Sequence, residues 1–281
     1  MARTTAATRP APWTAVWVGA ALAALILWSS RGTQVDVGTL ASGEAWQQMW
    51  TYASRLFPPD LSSAAVRDAT QGAVETFAIS LLGSVLAVVI GFPLSLLGTR
   101  TLLFRGLLYE ARPLPPAEKT ARVIVFGVAK AVLNVLRTVP EIVWAMIFVF
   151  MVGLGPFPGV LALGVHTGGV LGKLFGDVLE DVDPAPLEAL QATGAGRFRI
   201  LVYGILPQAL PQFVAYALYR WEVNIRVAAM MGFVGAGGLG QRIHIAISLF
   251  HEHQLLTLIL AIYLIVTVVD ALSAYLRARL L

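Results

Sequence analysis

Four polar side chains, Arg220, Glu222, Asn224 and Arg226, interrupt the otherwise apolar stretch from Tyr216 to Met231. Glu222 and Arg226 are four residues apart, so they can pair along one helix face, and Arg220 and Asn224 share a neighbouring face by the same spacing. Lys130, Asn134, Arg137 and Glu141 form a second polar series at helical spacing, around Pro140. A cation at the centre of a membrane span costs roughly 2.5–3.5 kcal/mol, so Arg220 must face protein or water. Three chemistries are open. The charges can form a structural ion-pair network within the bundle or a dimer seam. They can line a path for an anion, because guanidinium matches an oxyanion in fork geometry. They can relay protons through Glu222 or Glu141. Asp177, His166 and Asp270 lie in or near the same apolar stretches and receive no role.

Gly235, Gly237 and Gly240 have the spacing of a dinucleotide fingerprint, with Gly238 between them. That chemistry needs a strand before the run and a helix N-terminus after it, within a βαβ unit. Here an apolar helix precedes it. A phosphate loop needs Gly-Lys-Ser/Thr, and Gln241-Arg242 follows instead. The run is expected to bind no nucleotide. It is expected to form a close-packed or re-entrant turn at a pore mouth, serving as an outer gate or as packing.

The elements that must carry these residues are membrane spans. The 281 residues are 57% hydrophobic and 13% charged, against about 25% charged in soluble domains. Mean hydropathy is +0.75. Cysteine is absent, which excludes disulfides, thiolate metal sites and cysteine nucleophiles. His251 and His253 flank Glu252 and fall on different helix faces, so a polar loop is expected and no zinc site. No metal, cofactor or nucleic acid is expected, and no nucleophile–base arrangement suggests an enzyme.

Hydropathy gives an all-α polytopic membrane protein with about six transmembrane helices. The first runs from Trp13 to Trp28 and lacks a small-x-small cleavage site. Residues 31–70 read as an extramembrane loop, with an interfacial helix near Ala45 to Leu56. The remaining spans are expected at Thr76–Leu97, Val123–Val152 with a break at Pro140, Gly159–Leu179, Pro207–Met231 and Leu255–Leu276. One side of the membrane then holds Arg3, Arg9, Arg100, Arg105, Arg112, Lys119, Arg122, Arg197, Arg199, Arg277 and Arg279; the other holds Arg31, Arg55, Arg67 and Arg242. The positive-inside rule puts both termini in the cytoplasm.

The connection DVDPAPLEALQATGAGRFRILVYGILP has its own signature. Asp183 is an N-cap and Pro184 suits the first helical position. Gly194 and Gly196 are expected to end this short helix at positive φ. A second short helix then runs into Leu206-Pro207. Glu188-Ala189-Leu190, Gly194 and Leu206-Pro207 together resemble the coupling loop of permease subunits in bacterial ATP-binding-cassette importers. Leu190 departs from the usual alanine, and Gly204 stands where isoleucine is usual.

Within that class, RWEVNIR followed by GFVGAGGLG, with RTVPEIVW, is similar to phosphonate-type permeases, over about residues 70–281. The fold implied is methionine-importer-like: a five-helix core, residues 71–281 with coupling segment 183–206, plus an N-terminal span and extracytoplasmic segment in 1–70. The resemblance implies a homodimer in the bacterial inner membrane, served by two cytoplasmic ATP-binding subunits and an extracytoplasmic solute-binding protein. The implied cargo is phosphonate, phosphite or a related phosphorus oxyanion. The alternatives are a permease for methionine or another amino acid, a proton-coupled carrier acting alone, or an intramembrane enzyme.

Overall fold

Long apolar runs with polar caps fold into helices, and no strand occurs among the described residues, which in this computed structural model are 12–33, 38, 42–104 and 115–280. Arg3, Arg9, Arg105 and Arg112, used above for orientation, lie outside them. The chain divides into two units, residues 1–55 and 56–281.

The first unit contains α1 (Pro12–Gly32) and α2 (Gly43–Arg55). Ser42 Oγ accepts from the Ala45 amide at 3.2 Å and starts α2. Trp46, Met49 and Trp50 stand exposed at i, i+3, i+4 spacing, an apolar stripe along one face of α2.

The second unit begins with α3, Ser63–Leu97, which starts at Ser63 rather than at the expected Thr76. Ser62 Oγ caps it through the Ala65 amide. Its polar first turns (Arg67, Asp68, Gln71, Glu75) read as loop by hydropathy, but hydropathy does not register that Asp68 and Glu75 meet a partner on another helix. The expected boundary between residues 70 and 71 falls inside α3. A one-turn helix, α4 (Arg100–Leu103), follows.

The next span is broken as expected. α5 (Pro116–Thr138) and α6 (Glu141–Val152) meet at 92°. Pro140 has no N–H to give Leu136, and it forces Val139 into an extended conformation. The freed carbonyls find side chains: Trp144 Nε1 donates to Leu136 O at 3.2 Å, and His166 Nδ1 lies 2.9 Å from Val139 O. Because a carbonyl only accepts, that ring nitrogen carries a proton. A sharp bend at membrane depth is thus satisfied by protein.

α7 (Pro156–Glu180) is the most enclosed span and packs against α3 through small residues such as Gly91, Gly168 and Gly172. The connection α8 (Pro184–Ala192), α9 (Arg197–Ile200) and a π-helical turn (Leu201–Ile205) leads into α10 (Leu206–Met231). α11 (Gly238–Ser248) and α12 (Glu252–Leu280) complete the unit. Ser63–Leu97, Pro156–Glu180, Arg197–Val234 and Glu252–Leu280 are each long and apolar enough to cross a membrane, and the bent pair α5–α6 has the length and composition of a fifth, broken span or of a re-entrant loop. α1 carries a shorter apolar stretch, Val16–Gly32.

Candidate functional site

Three constellations hold the residues singled out above. The first is the 183–206 connection. Asp183 Oδ1 accepts from the Ala185 amide at 3.0 Å, and α8 ends in a Schellman-type turn: Gly194 N–H donates to Gln191 O and Ala195 N–H to Leu190 O, with Gly194 at φ +77°. Gly196 does not share that role. Its φ is −71° and it is the extended residue that starts α9. Leu187 is buried with Ile200, Ile205 and Phe213, which fixes the register of α8 and turns Glu188 and Ala189 outward. Gly204 lets α8 sit close against the stem: a Cβ would lie 2.6 Å from Leu187 Cδ2 and 3.0 Å from Leu190 Cδ1. The departure from isoleucine matches that close approach. Pro207 cannot donate to Tyr203 O, so the helix widens: the Leu206 amide reaches Leu201 O, and Gln208 Nε2 covers Gly204 O. The result is one helical stretch, Arg197–Val234, from elbow to far end. Phe198, which the sequence reading passed over, stands 77% exposed on the elbow.

The second is the glycine run. A 3-10 turn, Gly232–Val234, leads into Gly235, Gly237 and Gly238 at φ +91°, +76° and +72°. A helix N-terminus does follow, but its amides are taken: Gly238 N–H donates to Glu75 Oε2 at 3.2 Å and Leu239 N–H to Thr76 Oγ1 at 2.9 Å. A carboxylate occupies the place where a phosphate would have to bind. Arg242 locks this turn to α3, holding Glu75 with both terminal nitrogens (2.8 and 3.1 Å) and Asp68 Oδ1 through Nε at 2.8 Å. The Glu75 hydrogen bonds, against the cost of burial and with help from Asp68, raise the Arg242 guanidinium above its ordinary pKa. Asp68 and Glu75 were missed because only folding places them beside α11. His251 and His253 serve separate partners, Gln254 Oε1 and Pro58 O.

The third is the set of charges in the spans. The expected Glu222–Arg226 pair does not form. Glu222 instead meets Arg277 at 2.6 Å, and Arg226 meets Asp270 at 2.5 Å, two rungs between α10 and α12. The residues Asp270 and Arg277 are two turns apart on the facing helix and supply opposite charges in the opposite order. Asn224 is separate from Arg220: it is fully buried, accepting from Thr167 Oγ1 at 3.0 Å and donating to Ser84 Oγ at 2.9 Å. With Trp221 Nε1 on Ser80 Oγ, it ties α3, α7 and α10 together. Losing such a buried donor or acceptor pairing costs about 1–3 kcal/mol. Arg137 does not pair with Glu141. The bend at Pro140 swings Glu141 towards His166 (3.4 Å), while Arg137 Nη2 donates to Asn134 Oδ1 at 2.9 Å. Arg220 Nε is buried without a hydrogen-bond partner.

Residues 121–281 match the family described as binding-protein-dependent transport system inner membrane component. A phosphite transport system permease protein of Stutzerimonas stutzeri is 38% identical over 86% of this chain and 81% of its own length. A second, putative phosphite permease from the same organism is 36% identical over 88% of this chain and 80% of its length. A phosphate-import permease of Mycolicibacterium smegmatis is 34% identical over 81% of this chain and 39% of its length. Among solved structures, the inward-facing MetNI methionine ABC transporter matches with a TM-score of 0.62 at 22% identity, covering 79% of this chain and all of that one, a likeness of fold.

Proposed function

This chain belongs to the binding-protein-dependent transport system inner membrane components, and from that premise we propose that it carries a phosphorus oxyanion, such as phosphite or a phosphonate, across the inner membrane. It is a multi-pass transport subunit, not an enzyme. The energy comes from ATP hydrolysed on two separate cytoplasmic subunits, and an extracytoplasmic binding protein delivers the cargo to a dimer of the chain. Residues 71–281 act as the transporting core, with both termini in the cytoplasm.

One observation carries the mechanism. The outward-facing Glu188 and Ala189 sit on a helix pinned through Leu187 to a stem that continues, without a loop, into a membrane span. Gly194 shapes the elbow, and Leu206-Pro207 marks its fusion to α10. Motion imposed on α8 is therefore transmitted to the face bearing Arg220 rather than absorbed in slack chain. The rungs Glu222–Arg277 and Arg226–Asp270 make α12 move with α10. The turn of Gly235, Gly237, Gly238 and Gly240, clamped by Arg242, serves as the outer gate. The names of the phosphite permeases support the cargo, as does the cationic character of Arg220 and Arg137. A methionine permease shares the fold but gains little from two mid-span cations.

The test is reconstitution with the ATP-binding subunits and the binding protein in proteoliposomes. ATP-dependent uptake of phosphite, absent without the ATPase, is expected. Uptake by the chain alone would establish a secondary carrier, and preference for methionine would reject the cargo.

Arg220→Ala gives a second result. The Nε has no partner to lose, so melting is expected to stay within about 4 °C, the shift for about 1 kcal/mol. Uptake is expected to fall at least about tenfold, since a hydrogen bond to a charged group is worth about 1.5–3 kcal/mol. A cooperative loss of melting with normal uptake by the surviving protein would make Arg220 structural.

A further inference from the structure

Beside the Pro140 bend, a cleft of about 370 Å³ opens between α5 and α7, lined by Lys130, Ala131, Leu133, Asn134, Arg137 and Lys173. Four of these six carry side-chain hydrogen-bond donors, and none is a carboxylate. Lys173 is neutralised by Asp177 at 2.5 Å. Lys130 and Arg137 have no carboxylate partner within ion-pair distance among the described residues; Lys130 Nζ rests 5.6 Å from the centre of the Phe126 ring. The Arg137 bond to Asn134 Oδ1 uses the amide's acceptor and leaves its NH2 to donate. Two cations without a carboxylate partner leave the cleft positively charged, and a charge on a membrane span faces water or a polar partner, not lipid.

We propose that this cleft is a binding station for a tetrahedral phosphorus oxyanion, held by Lys130, Arg137 and the Asn134 amide. The assignment rests on the import reading above and adds the residues that would hold the cargo. A wall of donors suits an anion whose several oxygens all accept. It suits a zwitterionic amino acid less, because the ammonium group would meet cations and find the nearby acceptors, Asn134 Oδ1 and Asp177, already engaged by Arg137 and Lys173. Lys173, tethered by Asp177, borders the station and keeps its net charge near two.

The same chemistry could be offered by a lipid headgroup, and the experiment separates the sources. The permease with its ATPase subunits is placed in phosphatidylcholine nanodiscs and titrated with inorganic phosphite. Binding is expected to weaken at least about tenfold in R137Q, equivalent to about 1.4 kcal/mol, and further in the K130Q/R137Q double variant, while K130R retains it. Should the glutamine variants fail to fold, the cysteine-free chain offers a second measurement. Ala131→Cys, in the cleft lining but outside the three proposed ligands, is labelled with a maleimide, and phosphite is expected to slow the labelling. Unchanged affinity in folded variants, or no protection at saturating phosphite, overturns the station. So does retention of phosphatidylglycerol that K130Q/R137Q abolishes, if phosphite gives no protection: the cleft is then a headgroup site. Wild-type phosphite uptake is run in parallel. Its absence rejects the import reading, whereas normal uptake without protection rejects only the station.

Discussion

Gly240→Ala is expected to lower the melting temperature of the permease by roughly 6–12 °C or to prevent its accumulation in membranes, the effect of about 3 kcal/mol in a domain of this size. A Cβ at Gly240 would lie 1.8 Å from Ala229 O and 3.0 Å from Ala229 C. Both are backbone atoms of α10, so no rotamer can yield. The start of α11 would have to lift away from the end of α10. That displacement pulls the Gly238 and Leu239 amides off Glu75 and Thr76 and strains the Arg242 clamp on Asp68 and Glu75. Gly196→Ala is the control. Nothing lies within 4 Å of its Cβ position and its φ is −71°, so melting is expected to stay unchanged. Equal melting temperatures for the two variants would show that the outer turn is not packed as described.

Glu188→Arg is expected to abolish co-purification of the ATP-binding subunits and reduce ATP-dependent uptake at least about thirtyfold, the loss of a contact worth 2 kcal/mol or more. The chain itself should insert and melt normally, because Glu188 is exposed and has no intramolecular ion pair among the described residues, while the neighbouring Leu187 keeps α8 seated. Phe198→Ala removes an exposed aromatic from the same elbow and is expected to weaken the partner without eliminating it. Pull-down from detergent and a melt of the permease alone separate docking from folding. Normal co-purification and uptake in Glu188→Arg would remove the elbow from the coupling mechanism.

Elements whose signal is local were legible. The break at Pro140, the Asp183 cap and the positive φ of Gly194 each follow from the chemistry of one or two residues, and the structure contains all three. Hydropathy placed the last three spans within a few residues of their helices, but it started the Pro140 span at Val123, seven residues inside α5. It failed at the start of α3, where the charged turns Arg67 to Glu75 are helical and carry the partners of Arg242. It also misassigned the ion pairs. Spacing four apart licenses Glu222–Arg226 and Arg137–Glu141, but each charge took a partner on another helix or within its own turn.

The sequence by itself determined a helical, polytopic chain, because composition, periodicity and short-range caps act within a few residues. The permease reading came from the resemblance of the 183–206 connection and of RWEVNIR with GFVGAGGLG to importer permeases. Only the tertiary structure decided which charges neutralise one another, that Asn224 is buried between Thr167 and Ser84, and that Lys130 and Arg137 share an open cleft with Lys173. The physical reason is that an i,i+4 pair is worth only about 0.2–0.5 kcal/mol. Helix packing brings competing partners from distant sequence, and their stronger, partly desolvated contacts override the local preference.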